Sequence, residues 1–319
     1  MNLIPNDPYA KDTHLDGWEK LKQFTDARIA LGRAGCSIPT KVMLEFQLAH
    51  AQARDAVYQE LDTNTLQHKL KDIGLESLVV QSQAQDKQEY LKRPDFGRVL
   101  NEESQQALHD FNDTQANHYD VCIVVGDGLS ALAIEENAVA FIHSLKSQIE
   151  HEQWTLAPIV IAIGSRVALG DEVAERLHAK MLVMLIGERP GLSSPDSMGI
   201  YYTWQAKSGC LDSKRNCISN VRPAGLSIPI ATQRLMNLMR QSNKLGYSGV
   251  HLKDEHEIAV GDVINIKLAK REITLKVLQL ISGNSLKKSL RDEYFTIISD
   301  KERVATENED FWLEEKDEH

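Results

Sequence analysis

The chain has 319 residues, of which 42% are hydrophobic and 26% charged, a balance typical of a folded globular protein rather than a disordered one. Its formal net charge is −10, which argues against sequence-independent nucleic-acid binding, because such binding requires basic surface to neutralise phosphates. The sequence has no apolar run near the roughly 18 residues of a membrane span and no apolar signal core at its N-terminus, so we expect a cytoplasmic protein without a membrane partner.

Residues 1–110 are predicted to form a helical N-terminal region. Apolar residues recur at three-to-four spacing over 17–35, a segment that ends in glycine, which commonly follows a helix. The same spacing predicts a second helix over 40–61, with Leu44 and Leu48 on one apolar stripe.

Residues 111–255 are predicted to form a Rossmann-like domain, so the fold class is α/β with a parallel sheet. Continuous runs of Val, Ile and Leu are typical of strands that are covered on both faces. The predicted strands are 120–125, 158–163 and 181–187. Helices are predicted after the glycine turn that follows the first strand, over 170–179 and over 228–245.

Three loops of this domain are candidate ligand-binding segments. In parallel sheets, ligands lie outside the carboxyl ends of the strands. The loops at that edge are 126–128, 164–167 and 187–191.

The first loop lies in the sequence GDGLSA and raises two interpretations. It follows a strand and precedes a helix, where backbone N–H groups can bind phosphate. It matches none of the P-loop, dinucleotide-binding or nucleophile-elbow patterns. A tight turn that requires glycine is therefore favoured over a phosphate site, and Asp127 is expected to stabilise the start of the helix.

The sequence shows no spacing typical of metal ligands or of a catalytic triad. The eleven histidines lack metal-ligand spacing, and the serines, histidines and acids do not select a triad. The cysteines lack CxxC spacing and are expected to be buried, reduced thiols. They are Cys36, Cys122, Cys210 and Cys217.

The sequence MLVMLIGERPG ends a predicted buried strand with Glu188 and Arg189. A charged side chain at such a position needs a partner or solvent. A structural salt bridge or strand-end turn explains it, and so does a carboxylate that accepts hydrogen bonds from an amide-rich ligand. The residue types leave both open.

Residues 256–319 are predicted to form a separate extension. Two strands around Gly261 and Asp262 predict a small β-hairpin, and an acidic tail follows it. The segment weakly resembles the back half of an S4-like RNA-binding fold, but the basic helices of that fold are missing. We therefore predict no nucleic-acid partner.

Several segments together resemble one known family. They are DARIALGRAG, RPDFGR, DVCIVVGDGLSALAI, GSRVALGDEVAERLHAKMLVMLIGERPGL and NCISNVRPAGL. In this order and spacing they resemble the small subunit (light chain) of ethanolamine ammonia-lyase over about residues 15–255. IGERPGL and CISN are the most specific elements.

The resemblance implies a hetero-oligomeric lyase that converts ethanolamine to acetaldehyde and ammonia with adenosylcobalamin. The family's large subunit, a (β/α)8 barrel, holds the substrate and carries out most of the catalysis. The Rossmann-like small subunit closes over cobalamin at the subunit interface, so we expect no catalytic residue and no metal ligand in this chain. The family's association with bacterial microcompartments makes such a shell an expected location within the cytoplasm.

The resemblance also implies three cobalamin-binding residues by position. They are Val167 in GSRVALG, Glu188 in GERPG and Cys217 in NCISN. The motif DTHLDG from Asp12 matches proteins that bind cobalamin through histidine, but it follows no predicted strand, and the family retains cobalamin's own lower base. The alternative function is a stand-alone Rossmann-like module that binds a nucleotide or anion at 126–130.

Overall fold

The structure is a computed structural model, and it describes most of the chain. The described residues are 13–14, 21, 27–115, 118–252, 263–268, 271–278 and 294–302. The chain divides into two compact units. The first comprises Met1–His14 with Gly32–Asp254, and the second comprises Leu15–Leu31 with Glu255–His319.

Helices and strands alternate along the first unit. Its helices are α1 (Thr40–Tyr58), α2 (Thr63–Asp72), α3 (Lys87–Lys92), α4 (Glu102–Gln115), α5 (Ala131–His151), α6 (Leu169–Arg176) and α7 (Ile228–Leu245). Its strands are β1 (Thr13–His14), β2 (Arg33–Ala34), β3 (Ser77–Gln81), β4 (Tyr119–Gly126), β5 (Ile159–Ile163), β6 (Ala179–Gly187), β7 (Met198–Trp204) and β8 (Arg215–Val221).

Six of these strands form one sheet in the order β3-β5-β4-β6-β7-β8. The first four strands in that order run parallel, and β7 is antiparallel to both of its neighbours. The predicted α/β class, the three predicted strands and the helices after them are confirmed. The sheet is mixed rather than purely parallel. The connection from β6 to β7 is too short to contain a crossover helix, so the chain reverses and β7 runs antiparallel to β6.

The strand β3 lies in the region that was predicted to be helical. Its sequence, SLVVQ, has only five residues and pairs with β5 at the edge of the sheet. In a run of five residues, the spacing of apolar residues is too limited to distinguish a strand from a helix.

The helix predicted over 17–35 is wrong for the residues from 27 onwards. Here β2 pairs with β1 in an antiparallel bridge. Ala30, Gly32 and Gly35 have φ values of 50°, 71° and 61°, and such left-handed positions interrupt a right-handed helix. Most of 17–26 lies outside the described residues.

One face of the sheet is covered by α2, α5 and α7. Val183 and Ile200 on the strands pack in one buried cluster with Phe141 of α5 and Leu235 of α7. Ile218 on the edge strand β8 belongs to the same cluster and is only 4% exposed. This face therefore remains buried out to the last strand.

The opposite face is covered only in part. Val124 and Met184 pack there against Val173 of α6. Farther along the sheet, Tyr201 on β7 is half-buried and Cys217 on β8 is exposed. The side of β7 and β8 that carries these two residues is thus open.

The described part of the extension forms a separate antiparallel sheet. Its strands are β9 (Val263–Leu268), β10 (Arg271–Val277) and β11 (Phe295–Glu302), in the order β11-β10-β9. A small antiparallel sheet in the extension is confirmed: β9 and β10 pair outward from Leu268 and Arg271, and β11 pairs with β10. The turn predicted at Gly261 and Asp262 lies outside the described residues. Residues 256–262 lie outside the described part.

No helix among the described residues combines the length and the apolar content that crossing a lipid bilayer requires.

Candidate cofactor site

The three loops that follow β4, β5 and β6 meet at the carboxyl edge of the sheet. The backbone N–H of Ser165 donates to Asp127 Oδ1 at 3.0 Å, and that of Leu129 donates to the Gly187 carbonyl at 3.0 Å. The predicted convergence of the loops is therefore confirmed.

The GDGLSA segment is a tight turn that requires glycine. Gly128 has a φ of +54°, and a Cβ atom there would lie 2.3 Å from the Gly187 carbonyl oxygen. This close approach of two backbones confirms the predicted reason for the glycine.

Asp127 does not stabilise the start of α5, contrary to the prediction. Ser130 is the N-cap residue, since its Oγ accepts from the Ala133 N–H at 3.2 Å. Asp127 is 5% exposed, and its Oδ2 lies 3.6 Å from Lys87 Nζ. Burial raises the pKa of Asp127, and the Lys87 ammonium opposes that rise. Its role is to tie the ends of β4 and β5 to α3.

The N-terminus of α5 is already occupied by the chain itself. The Ser130 hydroxyl is fully buried and donates to the Pro195 carbonyl at 2.7 Å. The loop from β6 to β7 therefore lies where an anion would approach the helix, which disfavours the phosphate interpretation of 126–130.

Glu188 is held by three hydrogen bonds from its own chain. Ser197 Oγ donates to Oε2 at 2.5 Å, the Asn220 N–H donates to Oε2 at 3.2 Å, and Ser219 Oγ donates to Oε1. The carboxylate thus joins the end of β6 to β8. Arg189 is exposed and is not among these donors, so the strand-end charge is stabilised by hydroxyl and amide donors and not by a salt bridge with its neighbour.

Glu188 lies over the start of β7. A Cβ atom at Gly199 would be 2.9 Å from Glu188 Oε1, so the absence of a side chain at this position makes room for the carboxylate. Successive side chains of a strand point to opposite faces, so Tyr201, two residues after Gly199, lies on the same face as Gly199. Glu188 and Tyr201 therefore belong to one surface.

Cys217 is the cross-strand partner of Tyr201, so the thiol and the phenol belong to neighbouring positions on one face. Desolvation raises the pKa of the Cys217 thiol, the Tyr201 side chain opposes that rise, and the nearby Glu188 carboxylate adds to it. The side chain is exposed but protonated at neutral pH. Of the four cysteines, only Cys122 is buried as predicted, whereas Cys210 is half-buried and Cys36 is exposed like Cys217; all four are free thiols.

We call the surface formed by Tyr201, Cys217 and Ser219, with Glu188 at its rim, the open face. Two of the three predicted site residues, Glu188 and Cys217, come together on it. The third predicted residue, Val167, lies in the neighbouring loop between β5 and α6.

Val167 is half-buried and packs against the same hydrophobic cluster as Tyr201. A buried ion pair connects the helix that follows Val167 with the strand that carries Cys217. Asp171 on α6 and Arg215 on β8 form two hydrogen bonds, of 2.5 and 2.6 Å, and both side chains are at most 3% exposed. This pair fixes the Val167 loop beside the open face.

Arg166 places a cation next to Val167. Its guanidinium carbon lies 4.4 Å from the centre of the Tyr90 ring. Its Nε is buried without a hydrogen-bond partner among the described residues, and its backbone N–H is fixed by the Gly97 carbonyl at 2.7 Å. The Arg166 guanidinium therefore has one buried N–H, at Nε, without a hydrogen-bond partner among the described residues.

Sequence reasoning missed Tyr201, Ser219 and Arg166. The alternation in MGIYYTW would have indicated a half-covered strand and brought Tyr201 forward. No sequence signal shows that Ser219 reaches Glu188, because that contact depends on the antiparallel return of β7. Among the described residues, no group of three or more His, Cys, Asp or Glu side chains is placed to hold a metal ion.

The comparisons with known proteins agree on one family. A sequence model of the family described as ethanolamine ammonia-lyase light chain (EutC) matches residues 15–253. The small subunit from Pseudomonas syringae pv. tomato is 51% identical over 241 residues, covering 76% of this chain and 84% of that protein. The small subunit from Pseudomonas putida is 49% identical over 258 residues, covering 81% and 95%. The Pseudomonas aeruginosa protein is 48% identical over 258 residues, covering 81% and 94%.

Proposed function

The chain belongs to the ethanolamine ammonia-lyase small-subunit family, and from this premise we propose that its open face completes the cobalamin site of the enzyme. The chain is a subunit of a carbon–nitrogen lyase whose family depends on adenosylcobalamin, and its partner is the large subunit.

The residues of the open face fit the chemistry of cobalamin. The corrin rim carries carboxamides, which donate and accept hydrogen bonds. A carboxylate has about four acceptor positions, and Glu188 uses three of them within the chain, so one remains for a carboxamide N–H. Ser219 is exposed beside it.

The flat part of the open face suits a large ring. Tyr201 and Cys217 form a broad, uncharged pair across two strands, and the thiol is protonated, so we assign Cys217 to packing and not to cobalt ligation. Val167 would contribute shape and backbone groups from its loop. Arg166, beside it, would meet the phosphate of the cofactor's nucleotide.

Bound adenosylcobalamin supplies the radical chemistry through its cobalt–carbon bond. The chain's own residues would bind the cofactor, fix its orientation and exclude water from the interface. The preformed hydrogen bonds around Glu188 matter for this role, because a carboxylate that is already oriented loses little conformational freedom on binding. We propose no acid, base or nucleophile in this chain.

The observation that carries the proposal is that the open face is bare next to an organised carboxylate, while the other face is buried out to the last strand. Reconstitution tests it. The purified chain should show no lyase activity with adenosylcobalamin alone, and activity should appear when the large subunit is added. Activity without the large subunit would contradict the proposed division of labour.

The alternative, a stand-alone anion- or nucleotide-binding module, is disfavoured because Ser130 and Pro195 close the N-terminus of α5. Equilibrium dialysis with a nucleotide measures such binding directly, and we expect that the chain shows no saturable binding. Saturable binding that Ser130→Ala abolishes would revive this alternative.

For location, we propose the cytoplasm, within a bacterial microcompartment shell. The support is family membership together with the absence of a membrane-spanning helix among the described residues. Co-sedimentation of the complex with purified shells would test the finer statement, and recovery only in the soluble fraction of shell-forming cells would contradict it.

A further inference from the structure

Only the last turn of α1 packs against the domain. There Ala56 is 4% exposed, and Gln59, at the C-cap, donates to Glu135 of α5 at 2.8 Å. In the first half, Met43, Leu44 and Leu48 are 40%, 58% and 60% exposed. We call this first half, residues 40–48, the α1 arm.

The apolar residues of the α1 arm cover a broad part of its circumference. At about 100° per residue, the arc from Met43 through Leu44 to Leu48 spans roughly 140°. A globular helix normally turns an apolar stripe of at least about 100° towards a core. The arm therefore carries an apolar face of the kind that packs against a core, and its residues Met43, Leu44 and Leu48 are exposed.

The C-terminal end of α1, and not the α1 arm, joins the domain near the edge of the sheet that holds the cofactor site. Glu135, to which Gln59 is bound, lies four residues after α5 begins at Ala131, and α5 begins directly after the carboxyl end of β4. The backbone N–H of Asp62 donates to the same Glu135 side chain at 3.1 Å, which fixes the end of α1 at this position.

We propose that the α1 arm is a docking surface for the large subunit, with its leucines inserted into an apolar groove of that partner. This inference rests on the proposed function, which places the large subunit at the cofactor site, and α1 is attached near that site through its C-terminal end. An exposed apolar patch on a folded protein commonly marks an interaction site.

Two observations favour the large subunit over a second copy of this chain. The net charge of −10 makes copies of the chain repel each other. The family's sequence match, residues 15–253, includes the arm, so the arm lies within the part of the chain that resembles proteins with that partner.

The test uses the full chain and a tagged large subunit. Leu44→Ala/Leu48→Ala removes the apolar side chains but preserves helix propensity, because alanine is the best helix former. Leu44→Glu/Leu48→Glu places charge in the groove. We expect the dissociation constant of the complex to rise at least ~30-fold for the glutamate variant, as for loss of a central interface anchor, and less for the alanine variant.

Leu245→Glu is the matched control. Leu245 is 53% exposed at the end of α7, and its neighbour Asn243 contacts Lys180 at the start of β6, on the opposite edge of the sheet. This variant should bind the large subunit as the unaltered chain does. Melting curves of the free variants should match that of the unaltered chain.

Equal affinity of the unaltered chain and both arm variants would overturn the docking proposal while leaving the proposed function intact. A concentration-dependent dimer of the chain alone that the arm variants dissociate would assign the arm to a second copy and overturn it as well. If the unaltered chain fails to bind the large subunit, the proposed function itself fails.

Discussion

The two faces of the sheet differ in what covers β7 and β8. On one face, α7 and α5 bury the strands completely, so Ile218 on the edge strand is 4% exposed. On the other, α6 packs against β4 and β6, and beyond them Cys217 remains exposed. The same two strands are therefore a structural core on one side and a binding surface on the other.

This difference shows that one face of β7 and β8 contributes to stability and the other face to binding. The covered face consists of aliphatic and aromatic side chains, whose burial dominates folding free energy. The open face consists of a phenol, a thiol, a hydroxyl and an oriented carboxylate, whose burial in the chain itself would gain little. Substitutions on the two faces should consequently affect different measurements.

The largest effect is expected on the covered face. Phe141→Ala removes a fully buried ring of α5 and should lower the free energy of unfolding by about 3–5 kcal/mol. Urea denaturation of the free chain measures it. A loss below ~1 kcal/mol would show that this face is not the main core and would contradict the assignment of stability to the covered face.

The next largest effect is expected at the border between the two faces. Asp171→Asn leaves the buried Arg215 guanidinium with only the exposed Asp212 carboxylate as an ionised partner and should cost about 3–5 kcal/mol. Asp212→Asn is the matched control, because Asp212 also contacts Arg215 at 3.1 Å but is 87% exposed; its loss should cost less than ~1 kcal/mol. Similar losses for both variants in urea denaturation would contradict the assigned role of the buried pair.

On the open face, a moderate effect on binding is expected with little effect on folding. Glu188→Gln keeps the size of the side chain but weakens its acceptor, and it should raise the dissociation constant of adenosylcobalamin for the complex about tenfold, or ~1.4 kcal/mol. Spectrophotometric titration measures this change. The free energy of unfolding should fall by only about 1 kcal/mol.

A second substitution distinguishes a direct contact of Glu188 with cobalamin from the hydrogen bond that orients the Glu188 side chain. Ser197→Ala removes a donor to Glu188 from a residue that is only 6% exposed, and it should weaken cobalamin binding less than Glu188→Gln does. If neither variant changes the affinity, Glu188 is a structural link between β6 and β8 and not a cofactor contact.

The smallest effect is expected from removal of the extension. Truncation after Glu255 deletes a segment beyond the family match, including the sheet formed by β9, β10 and β11. Complex formation with the large subunit and lyase activity should both be retained. Loss of either would show that the extension contributes to the assembly and would revise the proposed boundary after residue 255.

The sequence predicted the sheet well where apolar runs were long. Strands 120–125, 158–163 and 181–187 were found because both faces of each strand are buried, which leaves a continuous aliphatic signal. β3 was missed because it is short, and β7 was missed because only one of its faces is fully covered. The segment around Ala30 was misassigned because apolar spacing does not reveal its left-handed backbone.

For the site, the residues came from resemblance and their arrangement came from the structure. Glu188 was expected to need a partner, and the structure supplies Ser219 from a strand 31 residues away along the chain. Such contacts depend on how β7 returns between β6 and β8, which local sequence does not encode. The exposure of Leu44 and Leu48 was missed likewise, because a stripe predicts an apolar face but not what covers it.

The most direct test of the cofactor site is the alkylation rate of Cys217 in the complex with and without adenosylcobalamin. Since desolvation raises the pKa of this thiol, the rate should increase as pH rises through that pKa, and the experiment belongs on the alkaline side of neutrality. Exposed Cys36 is the internal control. At a cofactor concentration of about ten times its dissociation constant, alkylation of Cys217 should slow roughly tenfold while that of Cys36 is unchanged. Equal rates for Cys217 with and without the cofactor would contradict the assignment of the open face to cobalamin.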